Sequence, residues 1–356
     1  MAVDITSVWR QRGPLAWALL PITAIFATLS GLRRQGFRSG WLKATRLPKP
    51  VLVVGNRIVG GAGKTPATIA ILQHLKAQGR TPGVLTRGYK AEASQHPRPL
   101  LLDASTQDQL SAQDTGDEPL LLWRRTHVPV MIDPQRARGG QALLERHPEI
   151  DILVCDDGLQ HLALTRDIEV IVFDERGQGN GWLLPSGPLR ESLNTPATRG
   201  LVAPPIVLYN ADHPSTHLPG HCAKRATAPL IHLEDWWAGA SPNTSRTFQP
   251  KDQGPAPAWA LAGIAQPDRF FSQLRTLGWR IHGHPLPDHA DLSVLPWPED
   301  VRHVIVTEKD AVKLSPQRVK QQRPHTTVWV AGLEFTPEAS FMTALDQALA
   351  KLPTTH

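Results

Sequence analysis

The sequence predicts an α/β protein with a doubly wound parallel sheet, a second and smaller α/β domain, and a hydrophobic helix at the N-terminus. Three observations predict this fold class. Short apolar, β-branched runs alternate with helical patterns between residues 51 and 174. A similar alternation returns between residues 258 and 352, and an uncharged stretch occupies residues 13–32. Alternating strands and helices form βαβ units, so we expect parallel sheets with functional groups at the carboxyl ends of their strands.

The patterns divide the chain into four parts. Residues 211–257 are rich in Pro, His, Ser and Thr, and we predict that they form an inter-domain linker region. The other parts are an N-terminal segment (1–48), a first domain (49–210) and a C-terminal α/β domain (258–356). A length of 356 residues fits about two domains. In the last part the patterns predict strands over 258–264, 279–284, 301–307 and 327–331, and helices over 267–277 and 337–352.

The net charge of +6 does not indicate a nucleic-acid partner, because the charge is unevenly placed. Residues 1–50 carry eight basic side chains and one acidic side chain, whereas the rest of the chain has a net charge of −1. The two cysteines, Cys155 and Cys222, provide no disulfide framework. No pattern in the sequence indicates an obligate protein partner.

The N-terminal uncharged run has nearly the length that a bilayer-spanning helix needs, about 20 residues, although Pro21 and several small polar residues weaken it. It could be a cleaved signal peptide, a buried core helix, or a membrane-associated helix that crosses the bilayer or lies along it. Arginines flank the run on both sides: Arg10, Arg12, Arg33, Arg34 and Arg38. Anionic lipid surfaces attract such charges, and we therefore favour the membrane-associated helix.

Residues 51–65 (VLVVGNRIVGGAGKT) combine a predicted strand, a glycine-rich turn and the start of a helix, as a phosphate-binding P-loop does. Its backbone N–H groups and helix N-terminus attract phosphate, and its lysine adds a full charge. We assign nucleotide binding to Gly60, Gly61, Ala62, Gly63, Lys64 and Thr65. The usual first glycine is replaced by Ile58, so an ordinary glycine-rich turn is the alternative. A signal peptide is disfavoured because it would export the site away from its nucleotide.

Acidic residues supply candidate metal ligands. Residues 151–158 (DILVCDDG) predict a buried strand that ends in Asp156 and Asp157, an arrangement that holds Mg²⁺ in P-loop proteins. Alone, such aspartates favour a turn, but the phosphate-binding loop upstream makes a metal site the better interpretation. Asp117 and Glu118 follow Gly116 at the start of a predicted helix, where capping alone would explain them.

Two further segments carry candidate groups. Residues 176–191 have no regular pattern and form either a connection or a substrate-recognition loop, in which Arg190 could bind an anion. Residues 282–291 are rich in His and Asp. Their spacing matches no zinc ligand set, so we favour His289 as a general acid–base group.

Together these motifs resemble those of the tetraacyldisaccharide 4'-kinases of lipid A biosynthesis, and the resemblance covers most of the chain. The matching segments are residues 54–66, 87–89, 116–119, 156–161, 179–191, 288–289 and 306–313. The P-loop of that family also lacks its first glycine, so Ile58 supports the match.

The resemblance implies an enzyme at the cytoplasmic face of the inner membrane. Such an enzyme transfers the γ-phosphoryl group of ATP, with Mg²⁺, to the 4'-hydroxyl of a lipid disaccharide, tetraacyldisaccharide 1-phosphate, and yields lipid IV-A. The resemblance also implies two α/β domains that form a cleft and are joined by a short β linker.

Individual roles follow from the same resemblance. Asp117 matches the catalytic aspartate, His289 the histidine that assists it, and Lys64 the lysine that neutralises charge on the transferred group. The residues after His289 depart from the family pattern. Since Asp117 and His289 fall in different predicted domains, we expect the domains to close over the substrate.

The resemblance also gives the predicted Mg²⁺ ligands, which are Thr65, Glu118, Asp156 and Asp157. From the loop of residues 176–191 we predict Arg190 and Asn180 as substrate-binding residues. The Thr307–Asp310 segment identifies the family, but we assign it no chemical role.

Two other functions remain open on the sequence alone. One is a soluble P-loop kinase of another hydroxyl compound, with the N-terminal helix packed in the core. The other is a membrane-tethered P-loop ATPase switch that binds a partner and makes no phosphorylated product.

Overall fold

The computed structural model describes residues 8–89, 92, 98–240 and 244–353. The first seven residues of the predicted N-terminal segment, residues 241–243 of the predicted linker and the last three residues of the chain lie outside the described residues.

Strands and helices alternate along most of the chain. The strands are β1 (Val51–Gly55), β2 (Pro82–Thr86), β3 (Leu100–Leu102), β4 (Val130–Ile132), β5 (Ile152–Asp156), β6 (Ile168–Asp174), β7 (Ile206–Asn210), β8 (His221–Thr227), β9 (Leu230–His232), β10 (Thr247–Phe248), β11 (Ala258–Ala262), β12 (Ile281–Pro285), β13 (His303–Thr307), β14 (Thr327–Ala331) and β15 (Leu333–Pro337). The α-helices are α1 (Pro14–Ala18), α2 (Leu20–Ser39), α3 (Lys64–Ala77), α4 (Ala112–Thr115), α5 (Asp117–Thr126), α6 (Arg136–Arg146), α7 (Leu233–Trp237), α8 (Pro267–Thr276), α9 (Glu308–Ala311), α10 (Pro316–Gln322) and α11 (Ala339–Leu349).

The chain folds into two compact units, each assembled from separated segments. The first comprises Met1–Arg87, Val128–Lys224 and Phe335–His356, and the second comprises Gly88–His127 and Arg225–Glu334. These bounds differ from the predicted ones. Residues 88–127 group with the later part of the chain, residues 335–356 return to the first unit, and the predicted linker is shared between the units and contains strands.

The first unit contains a parallel sheet in which β1 is central. Its strand order includes the run β8-β7-β6-β1-β5-β2-β4, and every two adjacent strands in this run are parallel to each other. Every residue of β1, β5, β6 and β7 is buried, as expected for strands covered on both faces. The predicted doubly wound sheet is thereby confirmed, with β1 delivering the chain directly into the phosphate-binding loop.

The C-terminal helix α11 belongs to this first unit. Phe341 and Leu345 are fully buried, and the helix packs beside β7. On the same helix, Asp346 Oδ1 lies 2.7 Å from Nε2 of His74 in the last turn of α3. The helix predicted over residues 337–352 is therefore present, but it packs in the first unit and not in the predicted C-terminal domain.

The second unit has its own mixed sheet, with strand order β10-β9-β14-β13-β11-β12. The last four strands are parallel, whereas β9 pairs antiparallel with both β14 and β10. Phe270, Phe271 and Leu274 on α8 are buried in its core. The predicted second, smaller α/β domain is confirmed as a fold, and it also contains α5.

Two helices, α1 and α2, occupy the segment before the first sheet. Among the described residues, no helix is both long enough and apolar enough to cross a membrane. Several large apolar side chains of this segment are nonetheless exposed: Leu15, Trp17, Ile22, Ile25, Leu29, Leu32, Trp41 and Leu42.

Candidate functional site

The glycine-rich loop leaves β1 and enters α3 through left-handed backbone. Gly60 has φ 92° and Gly63 has φ 88°, values that strain residues with a Cβ. Gly63 is the N-cap of α3 and offers no side-chain cap, which leaves the first N–H groups of the helix available to an anion. Ile58, which stands where a glycine is usual, is 1% exposed and packs in the core.

Lys64 faces one of the two predicted metal-binding aspartates. Its Nζ lies 3.7 Å from Oδ1 of Asp157, and Nη1 of Arg190 lies 3.4 Å from the same oxygen. Asp157 has φ 47° and a side chain that is 37% exposed. The neighbouring Asp156 is buried and accepts a 2.7 Å hydrogen bond from Oγ1 of Thr68 on α3. Asp157 is therefore the accessible carboxylate, and Asp156 ties the strand end to the helix.

The donor set of the first unit suits Mg²⁺ bound together with a nucleotide. Among the described residues, no cluster of three or more His, Cys, Asp or Glu side chains could hold a metal by itself. Mg²⁺ at nucleotide sites usually takes one or two carboxylates, with phosphate oxygens and water completing its shell. Thr65 in the first turn of α3 and the Asp156–Asp157 pair provide hard oxygen donors of that kind.

The second unit brings Asp117 and His289 together. Asp117 is the first residue of α5, is 8% exposed, and its Oδ2 lies 3.0 Å from Nδ1 of His289. Gly116, with φ 88°, turns the chain into this helix. The assignment of the two residues to different domains is wrong, because residues 88–127 fold with residues 225–334. Domain closure is therefore not needed to form this pair.

Two lysines from the segment after β13 surround the pair. Lys313 Nζ lies 3.5 Å from Oδ2 of Asp117, 3.1 Å from Oδ1 of Asp310 and 3.2 Å from the carbonyl oxygen of Ala290. Its side chain is 8% exposed. Asp310 is fully buried and also accepts a hydrogen bond from the N–H of Gly263. Lys313 thus connects the loop that carries His289 to the carboxylate of Asp117.

Lys309 contacts the other side of the imidazole. Its Nζ lies 2.9 Å from Oδ1 of Asp288, 3.5 Å from Nε2 of His289 and 3.8 Å from Oε1 of Glu118. Burial opposes the charges of Asp288 and Lys309, but neighbouring opposite charges outweigh it. These are Lys309 for the Asp288 carboxyl, and Glu118 followed by Asp288 for the Lys309 ammonium. The pKa of the Asp288 carboxyl is lowered and the pKa of the Lys309 ammonium is raised, so the two form an ion pair at neutral pH.

Sequence reasoning missed Lys309 and Lys313. Both lie in residues 306–313, a segment whose pattern identifies the family but predicts no chemical role. The sequence does contain an indication of their role. The two lysines are four residues apart and follow a buried strand, at the start of a helical turn. That spacing places both side chains on one face of the turn. What the pattern could not reveal is which distant carboxylates they meet.

Glu308 is a further missed residue, and it joins α5 to α9. Its carboxylate accepts two hydrogen bonds from Arg125 Nη1, at 2.8 and 2.7 Å, and one from the indole N–H of Trp236 at 3.2 Å. The N–H of Leu333 donates a fourth at 3.0 Å. Because Glu308 is 7% exposed, these partners compensate for its burial and hold the two helices together.

The two predicted substrate residues differ in environment. The Arg190 side chain is 27% exposed. Its Nη1 lies 3.2 Å from Oε1 of Gln160 and 3.4 Å from Oδ1 of Asp157. Asn180 is 8% exposed, and its amide bonds the carbonyl of Ser186 at 2.8 Å and the N–H of Trp182 at 3.0 Å. Arg190 thus keeps a partly exposed guanidinium beside Asp157, whereas the Asn180 side chain bonds its own loop and also donates to the carbonyl of Val8 at 3.2 Å.

In the first unit, a few residues after Asp157, burial and four arginines lower the pKa of His161 to about 4, so this imidazole is neutral at physiological pH. The arginines are Arg136, Arg166, Arg33 and Arg87.

Known proteins match the chain over nearly its whole length. Residues 15–350 match the family model described as "Tetraacyldisaccharide-1-P 4'-kinase". Curated proteins named "Tetraacyldisaccharide 4'-kinase" include one from Leptothrix cholodnii, 50% identical over 99% of this chain and 97% of the relative. Another, from Methylibium petroleiphilum, is 48% identical over 98% of this chain and 94% of the relative.

A solved structure shares the fold. It is the crystal structure of the "apo" form of LpxK from Aquifex aeolicus in complex with ATP, with a TM-score of 0.74 and 24% identity, covering 95% of this chain and 99% of that one. At that identity the likeness concerns the fold. The family match and the curated relatives, by contrast, decide the family: this chain belongs to the tetraacyldisaccharide-1-phosphate 4'-kinase family.

Proposed function

We propose that this protein uses ATP to phosphorylate the 4'-hydroxyl of tetraacyldisaccharide 1-phosphate, which gives lipid IV-A. The family match and the names of the relatives support the reaction, and the ATP complex of the Aquifex aeolicus protein supports the nucleotide. The observation that carries the proposal is the contact of 3.0 Å between the Asp117 carboxylate and the His289 imidazole, in a chain that also has a phosphate-binding loop.

In this proposal the first unit binds the nucleotide. The loop N–H groups of residues 60–65 and the N-terminus of α3 bind phosphate oxygens, and Lys64 contributes a positive charge. Mg²⁺, when bound, neutralises charge on those oxygens. Thr65, Asp156 and Asp157 would hold it, and Glu118 stays a predicted ligand.

The second unit supplies the proton acceptor. As the sugar hydroxyl oxygen forms its bond to the γ-phosphorus, its proton passes to the carboxylate of Asp117, and the bond from that phosphorus to the ADP oxygen breaks. Nδ1 of His289 lies 3.0 Å from Oδ2 of Asp117, and Lys309 lies on the far side of the imidazole, at Nε2. Since Nε2 faces an ammonium group, the arrangement favours the tautomer with its proton on Nδ1, which orients the carboxylate.

We further propose that α2 lies on the cytoplasmic surface of the inner membrane. Ile22, Ile25, Leu29 and Leu32 are 54–65% exposed, and their spacing of three and four residues places them on one face of the helix. Arg38 in the last turn adds a charge that anionic lipids attract. An exposed apolar face of this kind is typical of a helix lying in a lipid–water interface.

Radiolabelled ATP and purified tetraacyldisaccharide 1-phosphate test the reaction directly. We expect the full chain to transfer the label to the disaccharide, and Asp117→Ala to lower kcat by on the order of 10²-fold or more while ATP binding is retained. Asp268→Ala is the matched control, because it removes an exposed acid from the first turn of another helix of the same unit.

Each alternative function has its own outcome in that assay. Full turnover by Asp117→Ala on the disaccharide would rule out the proposed base. ATP hydrolysis without a labelled lipid would instead indicate an ATPase switch, and label on a different hydroxyl compound would indicate another kinase.

A further inference from the structure

Four successive carbonyl groups of the glycine-rich loop accept hydrogen bonds from side chains. Arg176 donates from Nη1 to the carbonyl of Val59 at 3.4 Å and from Nη2 to that of Gly61 at 3.1 Å. The amide Nδ2 of Asn56 donates to the carbonyl of Gly60 at 3.0 Å. These three bonds cover three successive peptide groups of the loop.

Asn210 completes the series. At the end of β7, its Nδ2 donates to the carbonyl of Ala62 at 3.1 Å. A Cβ on Gly63 would collide with this amide, so Asn210 lies directly against the loop at the residue that caps α3. Four successive carbonyls, those of residues 59–62, are therefore bonded by three side chains.

This arrangement orients the opposite side of each peptide. In a trans peptide the N–H points away from the C=O, so fixing the carbonyls of residues 59–62 also fixes the N–H groups of residues 60–63. In the described part of the chain, no protein acceptor lies within hydrogen-bond range of those four N–H groups. Successive unpaired N–H groups of this kind form an anion-binding concavity.

The two asparagines maintain these bonds at a cost. Asn56 is fully buried and Asn210 is 2% exposed. Among the described residues, Oδ1 of each has no hydrogen-bond partner. A buried unsatisfied acceptor costs about 1–3 kcal/mol, and native structures retain few of them without a reason. Donation to the loop carbonyls supplies that reason.

Arg176 is itself oriented by Asp174, the last residue of β6. The guanidinium Nε lies 3.1 and 2.9 Å from the two carboxylate oxygens, and Nη2 lies 2.8 Å from Oδ2. The planar fork therefore bonds a carboxylate and two carbonyls at once. A lysine ammonium cannot reproduce this geometry.

We propose that Arg176, held by Asp174, is a positioning residue that pre-forms the phosphate-binding loop, with Asn56 and Asn210 holding the remaining carbonyls. The inference rests on the proposed nucleotide role of the loop. It adds Arg176 and Asn210 from outside the motif, and Asn56 from within it, as residues that set the affinity of the loop. It also explains how the loop functions with Ile58 in place of a glycine, because side-chain donors fix the backbone instead.

The test measures ATP affinity calorimetrically with the full chain, in the absence of the acceptor. We expect Arg176→Met to weaken ATP binding by about tenfold or more, because only a fraction of the loops remains in the binding conformation. The KM for the disaccharide should stay within about twofold, since Arg176 acts on the nucleotide loop. Arg176→Lys should fail to restore ATP affinity, because it keeps the charge but loses the fork.

Arg138→Met provides the matched control. Arg138 also pairs with an aspartate just beyond a strand of the first unit, Asp133, and its side chain is 39% exposed, against 40% for Arg176. Loss of affinity in Arg176→Met and not in Arg138→Met supports the proposal. Equal affinities would overturn it, as would full rescue by Arg176→Lys, which would indicate a direct charge effect on phosphate.

Should Arg176→Met fail to fold, Asn210→Ala tests the same principle by releasing the carbonyl of Ala62. We expect weaker ATP binding again, and wild-type affinity would reject the proposal. The binding assay needs no acceptor, so the two proposals can fail separately. If the wild-type chain binds ATP but does not phosphorylate the disaccharide, only the proposed substrate is rejected. If Arg176→Met is fully active and binds ATP as tightly as the wild type, only the role of Arg176 is rejected.

Discussion

At the scale of single residues, Lys313 connects several groups around Asp117. This ammonium contacts the carboxylates of Asp117 and Asp310 and the carbonyl of Ala290, so all three of its protons have acceptors nearby. Asp310 is fully buried, and Lys313 is the cation that compensates for its charge within this cluster. Removing one partner of a buried ion pair is costly, because the other charge is left without compensation.

We therefore expect Lys313→Met to lower both stability and turnover. The free energy of unfolding should fall by on the order of 3 kcal/mol. The kcat should fall at least about tenfold, because Asp117 and the His289 loop lose their common anchor. Denaturant unfolding and steady-state kinetics measure the two effects. Lys320→Met, which changes an exposed lysine on α10, is the control. If Lys313→Met showed the same stability and the same kcat as Lys320→Met, the anchoring role of Lys313 would be refuted.

At the scale of elements, α2 is distinctive because its apolar face is exposed rather than packed. Leu29 and Ile25 are 62% and 61% exposed, whereas the Ile and Leu side chains of α3 and the Phe and Leu side chains of α8 are buried. The helix is nevertheless attached to the first unit, since Thr23 Oγ1 lies 2.7 Å from Oγ of Ser186. One side of α2 is thus fixed to the protein, while the other side is exposed.

The double variant Ile25→Ser, Leu29→Ser should reduce binding to vesicles that contain anionic phospholipid by roughly tenfold or more, since each buried aliphatic side chain contributes about 1.5–3 kcal/mol. Flotation of the full chain with such vesicles measures the effect. Leu277→Ser, which changes an apolar residue that is 49% exposed in the second unit, should leave flotation unchanged. Equal flotation of the double variant and the wild type would show that this face does not bind lipid.

At the scale of the whole molecule, each unit is built from segments that are far apart in the chain. The segment Gly88–His127 folds with Arg225–Glu334, and Phe335–His356 folds with the first unit. Neither unit is therefore contained in one continuous stretch, which is the physical reason that boundaries drawn from composition differ from the compact units.

A fragment of residues 49–210, the first domain that the sequence predicts, should fail to fold cooperatively. It lacks α11, whose Phe341 and Leu345 are buried in the first unit, and its residues 88–127 lack the sheet of the second unit. Thermal denaturation followed by circular dichroism should show no sharp transition for the fragment and a clear one for the full chain. A cooperative transition in the fragment would show that the segments are less interdependent than the contacts indicate.

The sequence by itself determined the local features: the strand, loop and helix at residues 51–77, the buried strand ending in Asp156 and Asp157, and the helix that starts at Asp117. Hydrophobic periodicity and turn chemistry depend on neighbouring residues, so they can be read directly from the chain. The family resemblance added the pairing of Asp117 with His289, 172 positions apart.

Only the tertiary structure decided which distant side chains meet. Lys309 and Lys313 reach the Asp117–His289 pair, Glu308 joins two helices, and Arg176 bonds the carbonyls of a loop more than one hundred residues earlier. Such contacts depend on how strands are ordered in a sheet and how helices pack on it, and no local pattern encodes that order. Local patterns determine which elements form, whereas packing determines which of their ends come together.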